Sequence, residues 1–395
     1  MTTNNPREFF PFAGVQPYPF QGLYLHIPFC VRKCPYCDFN TYAGQESLYA
    51  DFAQALAQEI RDVGSLLGHP TLRTVFVGGG TPTVLSREHL TLIFQAIYEA
   101  FALPQDAEIT CEANPGTVDR EKFEHLRTLG VCRLSLGVQS FIDDELRFLG
   151  RIHTVADVYQ AVETARSAGF DNLNLDLIYG LPSQSIARWK RSLQAAVDLA
   201  PEHLSCYALT VEEGTPLYRW VQEGRVPPID EDVQAEMYEY THSFLMQAGF
   251  LHYEISNWCR PARECAHNLL YWRNEPYLGL GPGAHSFNGR YRWWTVRSPQ
   301  EYIRRVRAGV STIAGWEAIT REMAMGETMM LGLRLLLEGV SRPRFRQRFG
   351  VDPLDVYTDT IHRLVEWGLL EVDAQRIRLT PRAYPVANQV FREFV

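Results

Sequence analysis

Leu23-Tyr-Leu-His-Ile27-Pro28-Phe-Cys30-Val-Arg-Lys-Cys34-Pro-Tyr-Cys37 is an apolar run that passes through a proline straight into three cysteines. A run of this length stopped by proline predicts a strand over 23–27, which puts the thiols in a loop at the strand's C-terminal end. Five similar runs, over 74–77, 108–112, 132–136, 173–178 and 204–209, are bounded by Gly, Pro or Asn. Between them lie amphipathic stretches at 47–67, 87–101, 120–129, 156–168 and 186–199. In the first of these, Leu48, Phe52, Leu56 and Ile60 recur every four residues on one helical face. Strand and helix alternating in this way predict an α/β fold with a parallel sheet and right-handed crossovers. Six such units make either an open doubly wound sheet or a partial barrel, and spacing alone does not choose. In both, the site lies at the C-terminal ends of the strands.

From Asp230 the strand rhythm stops, and a helix to about Gly249 is expected, followed by an aromatic, glycine-rich stretch over 253–290. The expectation for that stretch is loop and short strands covering the mouth of the sheet. Within it, Gly279-Leu-Gly281-Pro-Gly283 imitates a dinucleotide fingerprint only superficially, because no strand is legible before it, and it reads as a structural loop. The last part predicts helices over 319–337, 343–349 and 353–367, a hairpin of 369–372 with 376–379, and a final helix, an α+β order that resembles a winged-helix module. The expected units are an N-terminal segment 1–20, a core 21–235, an extension 236–300 and a C-terminal domain 301–395.

A length of 395 residues, 46% hydrophobic, is enough for one large and one small core. The formal net charge of −8 argues against a grip on phosphate backbones, so no nucleic-acid partner is expected. The N-terminus lacks a basic start followed by an apolar stretch, and no run of about 18 apolar residues occurs, so the expectation is a cytoplasmic protein with no transmembrane segment. Eight cysteines are too sparse for a disulfide scaffold, and three of them crowd into eight positions.

Three thiolates so spaced can each hold one iron of a 4Fe-4S cluster and leave the fourth iron open for a small molecule. Zinc competes, but a closed structural site wants four ligands, and the nearest fourth candidate, His26, lies inside the strand. A redox pair Cys34-Pro-Tyr-Cys37 would leave Cys30 unexplained. The second strand ends in Gly78-Gly79-Gly80-Thr81-Pro-Thr83, where backbone without side chains lets a ligand's ammonium and carboxylate lie close.

Tyr24-Leu-His26-Ile-Pro28-Phe-Cys30, the CxxxCxxC triplet and Gly-Gly-Gly-Thr-Pro-Thr together resemble the radical S-adenosylmethionine superfamily, and more narrowly its anaerobic coproporphyrinogen oxidase-like branch. The resemblance covers roughly 24–230. It implies a partial (β/α)6 barrel, a 4Fe-4S cluster on Cys30, Cys34 and Cys37, and S-adenosylmethionine on the open iron. It also implies that Glu112, Gln139, Arg151 and Asp176 line the S-adenosylmethionine site together with Tyr24, Tyr36, Gly79, Gly80 and Thr81. Carboxylates suit ribose hydroxyls and an ammonium, while Gln139 and Arg151 supply directional donors.

The oxidases of that branch carry a fourth cysteine two residues after the triplet, where this chain has Phe39, and the chain leaves only about twenty residues before its first motif. His267-Asn-Leu-Leu-Tyr271-Trp272 is similar to the His-Asn-x-x-Tyr-Trp motif of the HemW-type heme chaperones. That resemblance implies heme as a third cofactor, with His267 offering an imidazole to the iron and Tyr271 and Trp272 stacking on the macrocycle. The implied partners are heme and heme-acceptor proteins, with a homodimer left open. Two classes stand side by side: a heme carrier, and a radical catalyst acting on a porphyrin.

Overall fold

The computed structural model describes residues 20–395, so the segment 1–20 lies, apart from Phe20, outside the described residues. β1 (Gly22–Ile27), β2 (Thr74–Gly79), β3 (Glu108–Ala113), β4 (Arg133–Gln139), β5 (Leu173–Tyr179) and β6 (His203–Ala208) stand side by side in chain order. Each is parallel to the next, with Leu23 beside Val75 and Asp176 beside Ser205. Helices Tyr49–Leu67, Arg87–Ala100, Arg120–Thr128, Val155–Ser167 and Ile186–Asp198 make the crossovers. Their starts are set locally: Ser86, Asp119 and Thr154 accept from backbone N–H groups of the first turn, and Thr154 forms a capping box with Asp157.

The period of two in each strand then divides the residues. In β1, Leu23, Leu25 and Ile27 are fully buried in the apolar core that also holds Phe52, Leu56 and Ile60. The alternate Tyr24 lines an interior cavity. This is the partial (β/α)6 barrel, with the strands' C-terminal ends free to carry chemistry.

The stretch over 253–290 contributes strands to both edges of the sheet, and its turn at 281–283 reaches the cysteine loop, where Asn40 Nδ2 donates to the Pro282 carbonyl (3.0 Å). β7 (Leu251–Glu254) and β8 (Asn257–Cys259) extend the sheet antiparallel beyond β6. β9 (Tyr277–Leu280) pairs parallel with β1, and β10 (His285–Phe287), β11 (Tyr291–Thr295) and β12 (Ile313–Ala318) continue that edge to a twelve-stranded sheet. Gly279, read from the sequence as loop, therefore sits inside a strand. A Cβ there would lie 2.0 Å from the carbonyl oxygen of His285, so glycine is what lets the two chains meet.

Helix Ala266–Trp272 lies at the opposite end of the barrel from the cysteines. The Glu108 carboxylate, at the start of β3, accepts from the N–H groups of Ala266 (3.0 Å) and His267 (3.1 Å). The His267 ring meets Thr74, at the start of β2. The helix plugs the barrel floor.

The C-terminal unit has its own core of Met329, Leu333, Phe345, Leu364 and Ile377. Its sheet joins β13 (Val340–Ser341), β14 (Leu370–Val372) and β15 (Arg376–Leu379) in the order β13-β15-β14. Residues 301–318, expected in this unit, instead belong to the barrel: Tyr302, Ile303 and Val306 join its core, and β12 joins its sheet. The helix predicted over 319–337 ends at Gly332. Among the described residues no helix is long and apolar enough to cross a membrane.

Candidate functional site at the C-terminal ends of the strands

The cysteine loop leaves β1 and is tied back to it. The Cys30 N–H donates to the Tyr42 carbonyl (2.9 Å) and the Tyr42 N–H to that of Pro28 (2.7 Å), so 30–42 is a closed loop with fixed ends. The Cys37 N–H donates to the Cys34 carbonyl (3.2 Å), and Lys33 Nζ donates to the carbonyls of Phe39 and Thr41 across the loop.

All three thiols are free and half-buried, and each has a different polar neighbour. Thr81 Oγ1 donates to Cys30 Sγ (3.6 Å), Arg151 Nη1 to Cys34 Sγ (3.7 Å), and Thr41 Oγ1 stands 3.9 Å from Cys37 Sγ. Burial pushes the Cys30 and Cys37 thiols up, so an electropositive ligand is what would hold them as thiolates. The donor set of three separated thiols fits a cluster in which each sulfur meets its own iron.

Next to the loop, β2 ends in the three glycines. Gly79 has φ +111° and donates its N–H to Glu112 Oε2 (3.0 Å). A Cβ at Gly78 would meet the Glu112 carboxyl at 2.9 Å, and one at Gly80 the Phe29 carbonyl oxygen at 2.4 Å. The cradle exists only without side chains.

Gln139, at the end of β4, has φ +68° and closes an irregular step in the β4–β5 ladder. A non-glycine residue held there stores strain, which fixed ligand-facing residues commonly do. Arg151 donates to the Gly137 carbonyl (2.8 Å), while its Nε is buried without a partner. Burial pushes the Tyr36 phenol up against the pull of Arg151 beside it.

Below this rim an interior cavity of about 210 Å³ is walled by Tyr24, Glu112, Asp176 and Tyr207. Burial, reinforced by Asp176, raises the Glu112 carboxyl to about 7. Asp176 is also raised by burial, but it accepts from Ser135 Oγ (3.0 Å) and Asn174 Nδ2 (2.8 Å). Sequence reasoning missed Ser135, Asn174, Ser205 and the buried Arg133. They stand two residues from one another along β4 and β5 or beside them in β6, and the period of two within the strand signals was the clue that could have found them.

The residues read from the sequence thus separate into two sets. Cys30, Cys34, Cys37, Tyr36, Gly79, Gly80, Thr81, Glu112, Gln139 and Arg151 gather at the strand ends, with Tyr24 and Asp176 just beneath. His267 and Tyr271 floor the same interior cavity from the other side. His267 is 1% exposed, and both ring nitrogens are engaged, Nδ1 with Thr74 Oγ1 (2.7 Å) and Nε2 with the Tyr271 hydroxyl (2.9 Å). Trp272 is not in that cavity; it faces a cleft toward the C-terminal unit.

Residues 24–196 match the Radical SAM superfamily and residues 319–386 the HemN C-terminal domain. The chain is 39% identical over 384 residues to the Heme chaperone HemW of Mycobacterium tuberculosis (strain ATCC 25618 / H37Rv), covering 96% of each chain. It is 38% identical over 376 residues to the protein of that name from Bacillus subtilis (strain 168), covering 95% of this chain and 99% of that one. The solved structure of coproporphyrinogen III oxidase (HemN) from Escherichia coli shares the fold, with a TM-score of 0.86 over 98% of this chain and 93% of that one at 24% identity. With relatives this similar along nearly its whole length, and with the cysteine loop and glycine cradle in place, the chain belongs to the HemW heme-chaperone family of the radical S-adenosylmethionine superfamily.

Proposed function

We propose that this chain is a heme chaperone built on a radical S-adenosylmethionine scaffold, binding heme and passing it to acceptor proteins. The observation that carries the reading is the full-length similarity to relatives named Heme chaperone HemW. Phe39, 64% exposed where the oxidases have a fourth cysteine, supports the carrier over the oxidase.

Cys30, Cys34 and Cys37 would hold three irons of a 4Fe-4S cluster, leaving one for S-adenosylmethionine. Together, when bound, these groups supply one-electron chemistry. The chain's own residues do the positioning. Thr81 donates to Cys30 Sγ and opposes the upward push of burial on that thiol, while Arg151 donates to Cys34 Sγ. Gly79 and Gly80 let a ligand approach the backbone, Glu112 and Asp176 accept from ammonium or ribose hydroxyls, and Gln139 and Arg151 donate to a carboxylate. Tyr24 and Tyr36 are half-buried beside these residues.

The test is an anaerobic, reconstituted preparation titrated with hemin and then mixed with apomyoglobin. Stoichiometric binding followed by transfer of the Soret band to myoglobin is expected. Failure to bind hemin, together with conversion of coproporphyrinogen III under reducing conditions, would replace the carrier by the catalyst.

A further inference from the structure

We infer that the tetrapyrrole lies in the cleft between the barrel floor and the C-terminal unit, against Trp272, and that His267 is a positioning residue and not the iron ligand. The inference rests on the heme reading above and assigns it a site. A flat macrocycle with two carboxylate tails needs an apolar slot with cations at its rim, in a pocket of roughly 300–1,000 Å³. The interior cavity over His267 is about 210 Å³, walled by carboxylates, and its imidazole already bridges Thr74 and Tyr271. It is too small, and its arginine, Arg133, already stands against Glu112 and Asp176.

The cleft has the complementary properties. Its volume is about 460 Å³, and it opens where helix Ala266–Trp272 runs out against the helices Arg321–Gly332 and Arg342–Phe349. The Trp272 ring is half-buried; the Arg334 guanidinium sits 4.3 Å from its centroid, and its indole N–H is buried with no hydrogen-bond partner. Phe345, 1% exposed, and Val340 line the cleft from the C-terminal unit.

Three arginines reach the cleft, Arg273, Arg344 and Arg348, against two glutamates, Glu275 and Glu338. Glu338 holds Arg273 (2.6 Å) and Arg344 (3.3 Å), and Glu275 holds Arg344 (2.6 Å), so the guanidinium groups are oriented before any ligand arrives. The Arg344 pairs are half-exposed and weak, so a ligand carboxylate can exchange into them at little cost. The larger cavity at the ends of β5 and β6, about 880 Å³ and lined by Tyr179, Tyr207 and Tyr238, has only Arg334 against Glu231 and offers no such excess.

This arrangement also explains why one motif carries both His267 and Trp272. The imidazole pins the helix to the floor through Thr74 and Tyr271, and the helix then presents Trp272 five residues on, over the opposite side.

The experiment titrates hemin and hemin dimethyl ester into the full-length reconstituted protein, comparing wild type with Trp272→Ala, Arg344→Glu and His267→Gln, and follows the Soret band, iron content and melting temperature. At least a ten-fold weaker hemin affinity is expected for Trp272→Ala and for Arg344→Glu, with iron content unchanged. Arg344→Glu should lose its effect on the dimethyl ester, which has no carboxylates for the arginine to meet. His267→Gln should lower the melting temperature and keep hemin affinity within about three-fold of wild type. If wild type binds hemin and the Trp272 and Arg344 variants bind it equally well, the cleft is wrong and the heme reading stands. If His267→Gln alone abolishes binding at unchanged melting temperature, the imidazole is the ligand after all. If wild type binds no hemin, the functional reading falls and the cleft with it.

Discussion

Replacing Gly79 by alanine should damage the site through a single side-chain contact. Gly79 has φ +111°, where a Cβ costs about 1–2 kcal/mol in backbone strain. The added Cβ would lie 2.6 Å from both Cε1 and Nδ1 of His26. His26 cannot step aside freely: it is 6% exposed, with Nδ1 2.9 Å from the Tyr24 hydroxyl and Nε2 3.0 Å from the Asn40 carbonyl oxygen. Overpacking of this kind costs about 1–3 kcal/mol, so the total is roughly 2–5 kcal/mol. A loss near 3 kcal/mol lowers the melting temperature by roughly 3–4 °C in a chain of this size. Because Asn40 lies in the cysteine loop, displacement of His26 should also loosen the loop and weaken S-adenosylmethionine binding.

Gly44→Ala is the control. Gly44 also has positive φ, +72°, but nothing lies within 4 Å of its added Cβ, so only the backbone term of about 1 kcal/mol remains. Thermal melts of both variants, with S-adenosylmethionine binding read from the reduced cluster's paramagnetic spectrum, separate the two terms. Gly79→Ala melting with Gly44→Ala and binding S-adenosylmethionine like wild type would refute the role given to His26.

Cys30→Ala, Cys34→Ala and Cys37→Ala should each reduce iron from about four per chain to near zero; stoichiometric zinc without acid-labile sulfide in the anaerobic wild type would overturn the cluster. With Phe39 where the oxidases have cysteine, coproporphyrinogen III should not be converted to protoporphyrinogen IX in an anaerobic assay, and robust turnover would contradict this. His267→Ala should destabilise the fold by roughly 2–4 kcal/mol, by opening a void and leaving Thr74 unpaired, which denaturant melts will measure. Burial holds His267 and His252 down at about 3 and His153 at about 4, so they stay neutral when folded. The unfolded chain takes up these protons below about pH 6.5, and stability must therefore fall as pH drops from there toward about 4. Thermal melts across that window should show the decline, shallower in His267→Gln; a flat profile would contradict the burial assigned to these rings.

Six strands were legible because each carries a local signal, an apolar run of four to six residues closed by Gly, Pro or Asn, and the structure lengthens several by a residue or two. The ligand set at the cysteine loop was legible for the same reason, since strand, triplet and glycine run are each contiguous. Gln139 and Arg151 were placed by resemblance to a family, and their geometry, a positive φ and a guanidinium shared between Gly137 and Cys34, has no trace in composition.

The segment after Asp230 misled because its structure is made by distant partners. Tyr277–Leu280 becomes a strand by pairing with Gly22–Leu25, some 250 residues earlier, although two glycines beside Pro282 give it the look of a loop. The motif His267 to Trp272 was recognisable as a string, but the string does not say which end of the barrel it plugs. Glu108 and Thr74, at the N-terminal ends of β3 and β2, decide that by hydrogen-bonding to its first turn and its imidazole. By itself the sequence determined what is periodic or contiguous: the parallel α/β core, the cysteine loop and the glycine cradle. Only the tertiary structure decided what depends on pairing between distant segments, because a ladder hydrogen bond or a buried contact is satisfied by whichever chain arrives beside it, and no local pattern names that chain.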